Sequence, residues 1–298
     1  MKPAPFDYYE PKTLPEALNL LAQFGETAKP LAGGQSLVPM MNMRLARPAQ
    51  LVDLNGLREL NYLKVENEEL RIGAMTRQRV LERSAIVAEG WPLLREATRY
   101  VGHVQIRNRG TVGGSLVHAY PSAELPVAMT ALEASMVLRN PQGERTVLAG
   151  EFFVDAMTTS LKTGELLVEV RVPQVPSRTG WSFQEVSRRH GDFALMGVAG
   201  LLTLRSDGTI ERVRLVFCGA TPHRASKVEQ QFIGQRPESA LFRDAANLAA
   251  ADLEPDSDIH ASAEYRKEVA KVLARRVLEQ AAARALVATQ IKITTSRS

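Results

Sequence analysis

The sequence predicts an α+β protein of three consecutive units, at residues 1–57, 58–175 and 180–290. Three observations support this prediction. Helix and strand patterns alternate through the first unit, which is typical of a small α/β layer. Strand patterns dominate the second unit. A long apolar hairpin and then alanine-rich helices make up the third, which indicates an antiparallel sheet packed on helices.

The first unit opens with a clear helix signal. Thr13 and Glu16 have capping-box spacing, and Gly25 marks the end of the helix. Its apolar stripe consists of Leu14, Ala17, Leu18 and Leu21. Residues 29–31 and 51–54 are then predicted as short buried strands.

The second unit contains strand and hairpin patterns. Leu70 and Ile72 alternate with charged neighbours, and residues 135–148 form a hairpin pattern turned at 141–143. A helix is expected at residues 91–101, and a strand at residues 166–172 that Pro173 ends. Residues 173–180, rich in proline, are the predicted linker to the last unit.

The third unit begins with a strand pattern at residues 181–186. A hairpin is predicted from residues 195–204 and 210–217, turned at 206–208. A long helix is expected at residues 263–288, and residues 294–298 form a polar tail expected to fray. The predicted buried face of that helix comprises Val269, Val272, Leu273, Val277 and Ala281.

Composition is that of an ordinary globular protein, with 298 residues, 45% hydrophobic and 23% charged. No run approaches the length of a membrane helix, and the first residues lack the apolar core of a signal peptide. We therefore expect no membrane span and a cytoplasmic protein. A net charge of +4, spread among acidic residues, does not favour nucleic-acid binding.

Cysteine and histidine usage excludes several kinds of metal site. The only cysteine, Cys218, lies in an apolar run and is expected to be a buried, inert thiol. One cysteine cannot hold an iron–sulfur cluster, and the 5 histidines show no close ligand spacing. A redox role would therefore require an organic cofactor, with any metal centre on another polypeptide.

Two glycine pairs are the most informative motifs. Gly33 and Gly34 are followed by Ser36, and Gly113 and Gly114 by Ser115. Glycine lets backbone approach a ligand closely, and consecutive N–H groups can bind an anion. A plain tight turn is the alternative for either pair alone, whereas two such loops together suggest a long ligand with a diphosphate in its middle. The dinucleotide fingerprint G-x-G-x-x-G is absent, which argues against a Rossmann domain.

The ordered set of motifs resembles the FAD-binding medium subunit of the molybdenum hydroxylases, the family of carbon monoxide dehydrogenase and of the multi-subunit xanthine, nicotine and quinoline dehydrogenases. The segments that carry this resemblance lie at residues 6–8, 31–39, 53–55, 72–76, 105–114, 166–170, 187–189 and 191–194. The resemblance implies a two-subdomain FAD-binding domain of the vanillyl-alcohol-oxidase type, followed by a C-terminal flavin-subunit domain of antiparallel sheet plus helices.

By the same resemblance, two loops hold the FAD pyrophosphate and the neighbouring ribityl and ribose oxygens. The matching positions are Pro30, Leu31, Ala32, Gly33, Gly34, Gln35, Ser36 and Leu37 in the first loop, and Thr111, Val112, Gly113, Gly114 and Ser115 in the second. Many relatives have histidine in place of Gln35. Glutamine still donates through its amide but cannot form a histidyl–flavin bond, so FAD is expected to be noncovalent.

The resemblance also gives roles to residues outside the loops. Glu124 would accept hydrogen bonds from flavin hydroxyls; the alternative is a helix start with Ser122 as N-cap. Phe193 would lie beside the isoalloxazine ring; the alternative is a core residue. Leu167 and Gln184 match positions that approach the same ring. Arg107 and His118 are interpreted as structural supports for the second loop.

No constellation for substrate catalysis is recognisable in the sequence, which fits an electron-transfer subunit. The resemblance implies a large partner with a molybdenum–pterin centre, a small partner with two 2Fe–2S clusters, and a dimer of heterotrimers. FAD would pass electrons to an external acceptor: NAD, a quinone, a cytochrome or oxygen. The alternatives are a free-standing FAD-dependent oxidoreductase on the same fold and a cofactor-free scaffold or nucleic-acid-binding subunit.

Overall fold

The structure, a computed structural model, describes residues 1–219 and 221–295, with side chains as far as residue 288. The strands are β1 Asp7–Tyr9, β2 Ala28–Leu31, β3 Gln50–Asp53, β4 Leu63–Glu66, β5 Glu69–Gly73, β6 Ser135–Asn140, β7 Gly143–Leu148, β8 Phe153–Asp155, β9 Thr158–Thr159, β10 Leu166–Pro173, β11 Thr179–Ser187, β12 Ala194–Leu204, β13 Ile210–Phe217 and β14 His223–Arg224. The α-helices are α1 Leu14–Phe24, α2 Leu37–Asn42, α3 Gln78–Arg83, α4 Ala85–Gly90, α5 Pro92–Tyr100, α6 Val104–Arg109, α7 Val112–His118, α8 Glu124–Ala131, α9 Ala149–Phe152, α10 Ser226–Gln231, α11 Ser239–Ala251 and α12 Ala263–Thr295.

The chain forms two compact units, each assembled from three segments. The first unit contains Met1–Leu81, His103–Tyr120 and Glu133–Pro173. The second contains Glu82–Gly102, Pro121–Leu132 and the chain from Gln174 onwards. Strands and helices are mixed in both, as the α+β prediction requires, and that prediction is confirmed.

The first unit holds two sheets. A parallel sheet has the order β1-β3-β2, and an antiparallel sheet has the order β4-β5-β10-β6-β7. Helix α1 begins and ends as predicted: Thr13 and Glu16 form the capping box, and Gly25 is the C-cap. Its apolar stripe packs with residues of β3 and β10 in one core cluster.

The second unit is built on one antiparallel sheet of order β11-β12-β13-β14, and α12 packs on β11 and β12. Close approach is possible because Gly180 and Gly200 carry no side chain: a Cβ at either position would collide with α12. Strand β11 begins at Thr179, so the last two residues of the predicted linker already belong to the sheet.

The buried face of α12 differs from the predicted one. Val272 is exposed, which contradicts its predicted place in the core. The buried residues recur at helical spacing and are Ala270, Leu273, Ala274, Val277, Leu278, Ala281, Ala282 and Ala285. Ala281 and Ala285 lie against Gly180, and Val277 lies against Gly200. These contacts set which side of the helix faces the sheet, and Val272 is on the solvent side.

Helix α12 extends further than the sequence predicts. It reaches Thr295, so it includes the first part of the tail expected to fray at 294–298; the last three residues lie outside the described part of the chain. Within the described residues, none of the helices combines the length and apolar character needed to cross a bilayer.

Candidate functional site

The first glycine loop, residues 32–36, connects β2 to α2 in the first unit. Gly34 has a φ of +72°, a left-handed conformation that favours glycine. No described residue offers a hydrogen-bond acceptor to the backbone N–H groups of residues 33–36. The Ser36 side chain makes no capping hydrogen bond to α2, and Gln35 donates only to the Gly33 carbonyl at 3.1 Å. The loop therefore presents four amides and a hydroxyl for a ligand.

The second glycine loop, residues 111–115, differs because its amides at residues 112–115 are already bonded. Val112 N–H donates to the Thr76 carbonyl at 2.9 Å, and Gly113 N–H donates to Ala74 at 2.8 Å. Thr111 caps α7: its hydroxyl accepts from Gly114 N–H at 3.1 Å. The expectation that both loops offer consecutive amides to an anion therefore fits the first loop and not the second.

The second glycine pair instead permits close packing. A Cβ at Gly113 would lie 2.7 Å from the Ala74 Cβ. A Cβ at Gly114 would lie 2.7 Å from the Thr111 hydroxyl and 3.5 Å from the Ala32 Cβ. A side chain at Gly113 would therefore disturb the packing of α7 against Ala74.

The fold brings the two glycine loops into contact. A Cβ at Gly33 would lie 2.5 Å from the Arg109 carbonyl oxygen and 2.8 Å from the Gly110 Cα, so the backbone at Gly33 rests directly against the approach to the second loop. Only glycine fits at this crossing. The two pairs lie eighty residues apart in the sequence, and the fold of the first unit brings them together.

A side-chain network joins the same two segments. The Asn55 amide donates to the Ala32 carbonyl at 3.0 Å, and Arg77 donates to the Asn55 side-chain oxygen at 2.6 Å. The second terminal nitrogen of Arg77 donates to the Arg109 carbonyl at 2.5 Å. The planar guanidinium thus spans from Asn55 to the second loop.

Two further residues fix Asn55 from the other side. Asp53 accepts from the Asn55 backbone N–H at 2.9 Å and from its side-chain amide at 2.5 Å. The Tyr8 hydroxyl donates to the other Asp53 oxygen, and this hydrogen bond raises the pKa of Tyr8 to about 12. Burial, and then the charge of Arg109, lowers the pKa of Arg77. Residues 53–55 carry part of the family resemblance, but no sequence pattern marks Arg77, since no spacing rule connects Arg77 to either loop.

The predicted site residues of the second unit occupy defined positions. Glu124 is the first residue of α8, and the N-cap is Ala123, so the alternative of Ser122 as N-cap is wrong. The Gln184 amide on β11 donates to the Gln280 side chain at 3.2 Å. Phe193 precedes β12 and is 68% exposed, which excludes the alternative that it is a core residue.

The remaining predicted residues belong to the first unit and are largely buried. Leu167 lies on β10 beside a register shift and is 2% exposed, so its side chain has little surface for a ligand. Arg107 is buried within α6, directly before the second loop. His118 ends α7 and stacks on Tyr120 with ring centroids 5.9 Å apart; burial lowers its pKa. Their burial beside the loop is consistent with a supporting role for Arg107 and His118.

The described side chains include no cluster of three or more His, Cys, Asp or Glu residues that could hold a metal ion. Cys218 is buried, as expected, and burial raises the pKa of its thiol to about 12. A glycine loop with open amides, held against a second loop in an α+β fold, is an arrangement suited to binding an anionic group.

Comparisons with known proteins specify the class. Residues 4–175 match the family described as FAD binding domain in molybdopterin dehydrogenase. Residues 181–281 match the CO dehydrogenase flavoprotein C-terminal domain. The chain belongs to the family of FAD-binding medium subunits of molybdenum hydroxylases. It is a subunit of an oxidoreductase of several chains, its cofactor is FAD, and the molybdenum and iron–sulfur centres are on other subunits.

Individual relatives cover nearly the whole chain. The 6-hydroxypseudooxynicotine dehydrogenase complex subunit alpha of Paenarthrobacter nicotinovorans is 42% identical, over 96% of this chain and 97% of the relative. The solved carbon monoxide dehydrogenase of Hydrogenophaga pseudoflava has a chain that is 39% identical with a TM-score of 0.92, over 95% of this chain and 99% of that one. The solved quinoline 2-oxidoreductase of Pseudomonas putida 86 has a chain that is 36% identical with a TM-score of 0.91, over 96% of this chain and 99% of that one. These relatives favour the subunit interpretation over a free-standing oxidoreductase.

Proposed function

We propose that this chain holds FAD noncovalently and passes electrons from the 2Fe–2S clusters of a partner to an external acceptor. The observation that carries the proposal is the first glycine loop, whose N–H groups at residues 33–36 have no acceptor among the described residues. Bound FAD supplies the redox chemistry, because it accepts and gives up electrons one or two at a time. The chain supplies binding and orientation.

The first loop fits the diphosphate of FAD. Its open amides and the Ser36 hydroxyl are donors, and phosphate oxygens are acceptors only, so the donor set matches the group. Gln35 has no nucleophilic ring nitrogen, which supports noncovalent binding. Contacts from Glu124, Leu167, Gln184 and Phe193 to the flavin remain predictions, as does the division into units at 1–57, 58–175 and 180–290.

The proposed partners are a small iron–sulfur subunit and a large molybdenum-binding subunit, in a dimer of heterotrimers. Relatives support this proposal because they are described as medium chains or as subunits of complexes. We place the complex in the cytoplasm. Relatives of similar identity are named for substrates as different as caffeine and carbon monoxide. We therefore assign substrate selection to the large subunit and not to this chain.

The proposal is tested on the full chain purified alone. We expect flavin absorbance bands near roughly 375 and 450 nm, as in any oxidised flavoprotein. Acid precipitation should leave the flavin in the supernatant, because no covalent bond is present. The isolated chain should show no substrate dehydrogenase activity, and a tagged chain expressed with its neighbouring genes should co-purify iron and molybdenum. A chain that binds no FAD, or that oxidises a substrate alone, would refute the proposal.

A further inference from the structure

We infer that Asn55 and Arg77 form a clasp that holds the two glycine loops in the spacing at which FAD binds; the inference rests on the proposed function. The clasp is defined as these two side chains with the carbonyls of Ala32 and Arg109. It is a positioning device, because it contacts main-chain carbonyls: Ala32 in the first loop, and Arg109 two residues before the second loop. Asn55 and Arg77 therefore act on FAD through the loops.

The hydrogen bonds show that the clasp is a continuous connection. From the first loop it runs from the Ala32 carbonyl to the Asn55 amide at 3.0 Å, and from the Asn55 oxygen to Arg77 at 2.6 Å. From Arg77 it reaches the Arg109 carbonyl at 2.5 Å, one residue before Gly110 and the second loop. Every link joins a donor to an acceptor, so removal of either side chain breaks the connection.

The clasp acts where the loops have least freedom to adjust. Gly33 already lies against the Arg109 carbonyl, with a Cβ position only 2.5 Å away. The same carbonyl is therefore fixed by Arg77 on one side and in contact with Gly33 on the other. A shift of this carbonyl would move the open amides at residues 33–36 relative to the second loop. FAD affinity depends on this fixed spacing, because a loop that is mobile in the free protein loses entropy when the ligand orders it.

Solvent exposure and a fixed orientation distinguish Asn55 from a residue that stabilises the core. Asn55 is exposed and contributes little apolar burial, so its removal should have little effect on the folding of the unit. Its orientation is nevertheless fixed, because Asp53 accepts from both its backbone N–H and its amide, and Tyr8 in turn fixes Asp53. An exposed side chain with this many fixed contacts is a sign of positioning.

The test uses the full chain, stripped of FAD and titrated with it, with flavin fluorescence as the readout. Asn55→Ala and Arg77→Lys should each raise the Kd for FAD roughly ten-fold, about the effect of one or two lost hydrogen bonds. Lysine keeps the charge but has no planar fork with which to bond both the Asn55 side-chain oxygen and the Arg109 carbonyl. Asn61→Ala and Arg58→Lys are matched controls, since both residues are exposed in the same unit, and their Kd should stay within two-fold.

The double variant is the decisive measurement. Because both side chains belong to one connection, Asn55→Ala with Arg77→Lys should raise Kd by little more than either change alone, well below the product of the two. Asn55→Asp should bind FAD as weakly as Asn55→Ala, since aspartate still accepts from Arg77 but no longer donates to the Ala32 carbonyl. The thermal midpoint of the FAD-free chain should fall by at most a few degrees in all variants, about the effect of one or two lost hydrogen bonds.

Several results would overturn the clasp. One such result is a wild-type Kd for FAD in the single variants or in Asn55→Asp. Another is a double variant whose fold-increase in Kd equals the product of the two single increases. A loss of thermal stability in the FAD-free variants that accounts for the whole change in Kd would also reject it, in favour of a general folding role. Failure of the proposed function would look different, because the wild-type chain itself would then bind no FAD.

Discussion

Substitution of Gly33 by alanine tests the contact between the two glycine loops. The added methyl group would lie 2.5 Å from the Arg109 carbonyl oxygen and 2.8 Å from the Gly110 Cα. Ordinary contacts of this kind need roughly 3.5 Å, so the loops would have to separate by about 1 Å. The backbone at Gly33 is not left-handed, so alanine is excluded by the contact and not by its own conformation.

The expected loss of stability and of FAD affinity follows from the contacts that a separation of about 1 Å would break. The connection from Ala32 through Asn55 and Arg77 to Arg109, whose hydrogen bonds are 3.0, 2.6 and 2.5 Å long, would be stretched by about 1 Å, enough to lose one of these bonds. Overpacking of this size costs about 1 to 3 kcal/mol, and the lost hydrogen bond adds about 1 kcal/mol. We expect a lower thermal midpoint and a Kd for FAD raised roughly ten- to hundred-fold.

The assay compares FAD titration and thermal unfolding with those of a matched variant, Gly150→Ala. A Cβ at Gly150, in α9, would meet nothing within 4 Å, so alanine there should leave FAD binding unchanged and stabilise by up to about 1 kcal/mol. If Gly33→Ala bound FAD with wild-type affinity and unfolded at the wild-type temperature, the loop contact would not be what positions the ligand.

Three further predictions concern the second unit. Arg284 donates to both Glu96 carboxylate oxygens, at 3.0 and 3.2 Å, and stacks on Trp181. Arg284→Ala should therefore lower the free energy of unfolding, measured by urea titration, by about 2 kcal/mol. A change below about 0.5 kcal/mol would contradict this. Burial, and then the charge of Glu124, raises the pKa of Glu185 to about 8, so its contribution to stability is complete below pH 4.5 and lost as the pH rises through 8. Glu185→Gln should therefore raise stability at pH 9 by roughly 1 to 3 kcal/mol and leave it nearly unchanged at pH 4.5; an equal gain at both pH values would argue against the titration. The thiol of Cys218 should react with a chromogenic disulfide only after unfolding in denaturant, because burial raises its pKa to about 12; rapid reaction of the folded chain would contradict its burial.

The sequence by itself determined the local elements and the family. The capping box at Thr13, the hairpin of β12 and β13, and the positions of both glycine pairs follow from short-range patterns, since caps and turns depend on neighbours a few residues away. The family follows from an ordered set of motifs, each of them readable in one stretch of chain.

Only the tertiary structure decided how the two glycine loops differ. Their sequences are alike, but Ala74 and Thr76 already occupy the amides of the second loop, and nothing described occupies those of the first. Likewise, no local sequence pattern marks Arg77, because its link to Asn55 depends on how the chain crosses between two sheets. Periodicity also predicts that Val272 is on the buried face of α12. The contacts of α12 with Gly180 and Gly200 instead fix an orientation in which Val272 faces solvent. Local patterns fix which elements form, and packing between distant segments decides which of their groups stay free to bind a ligand.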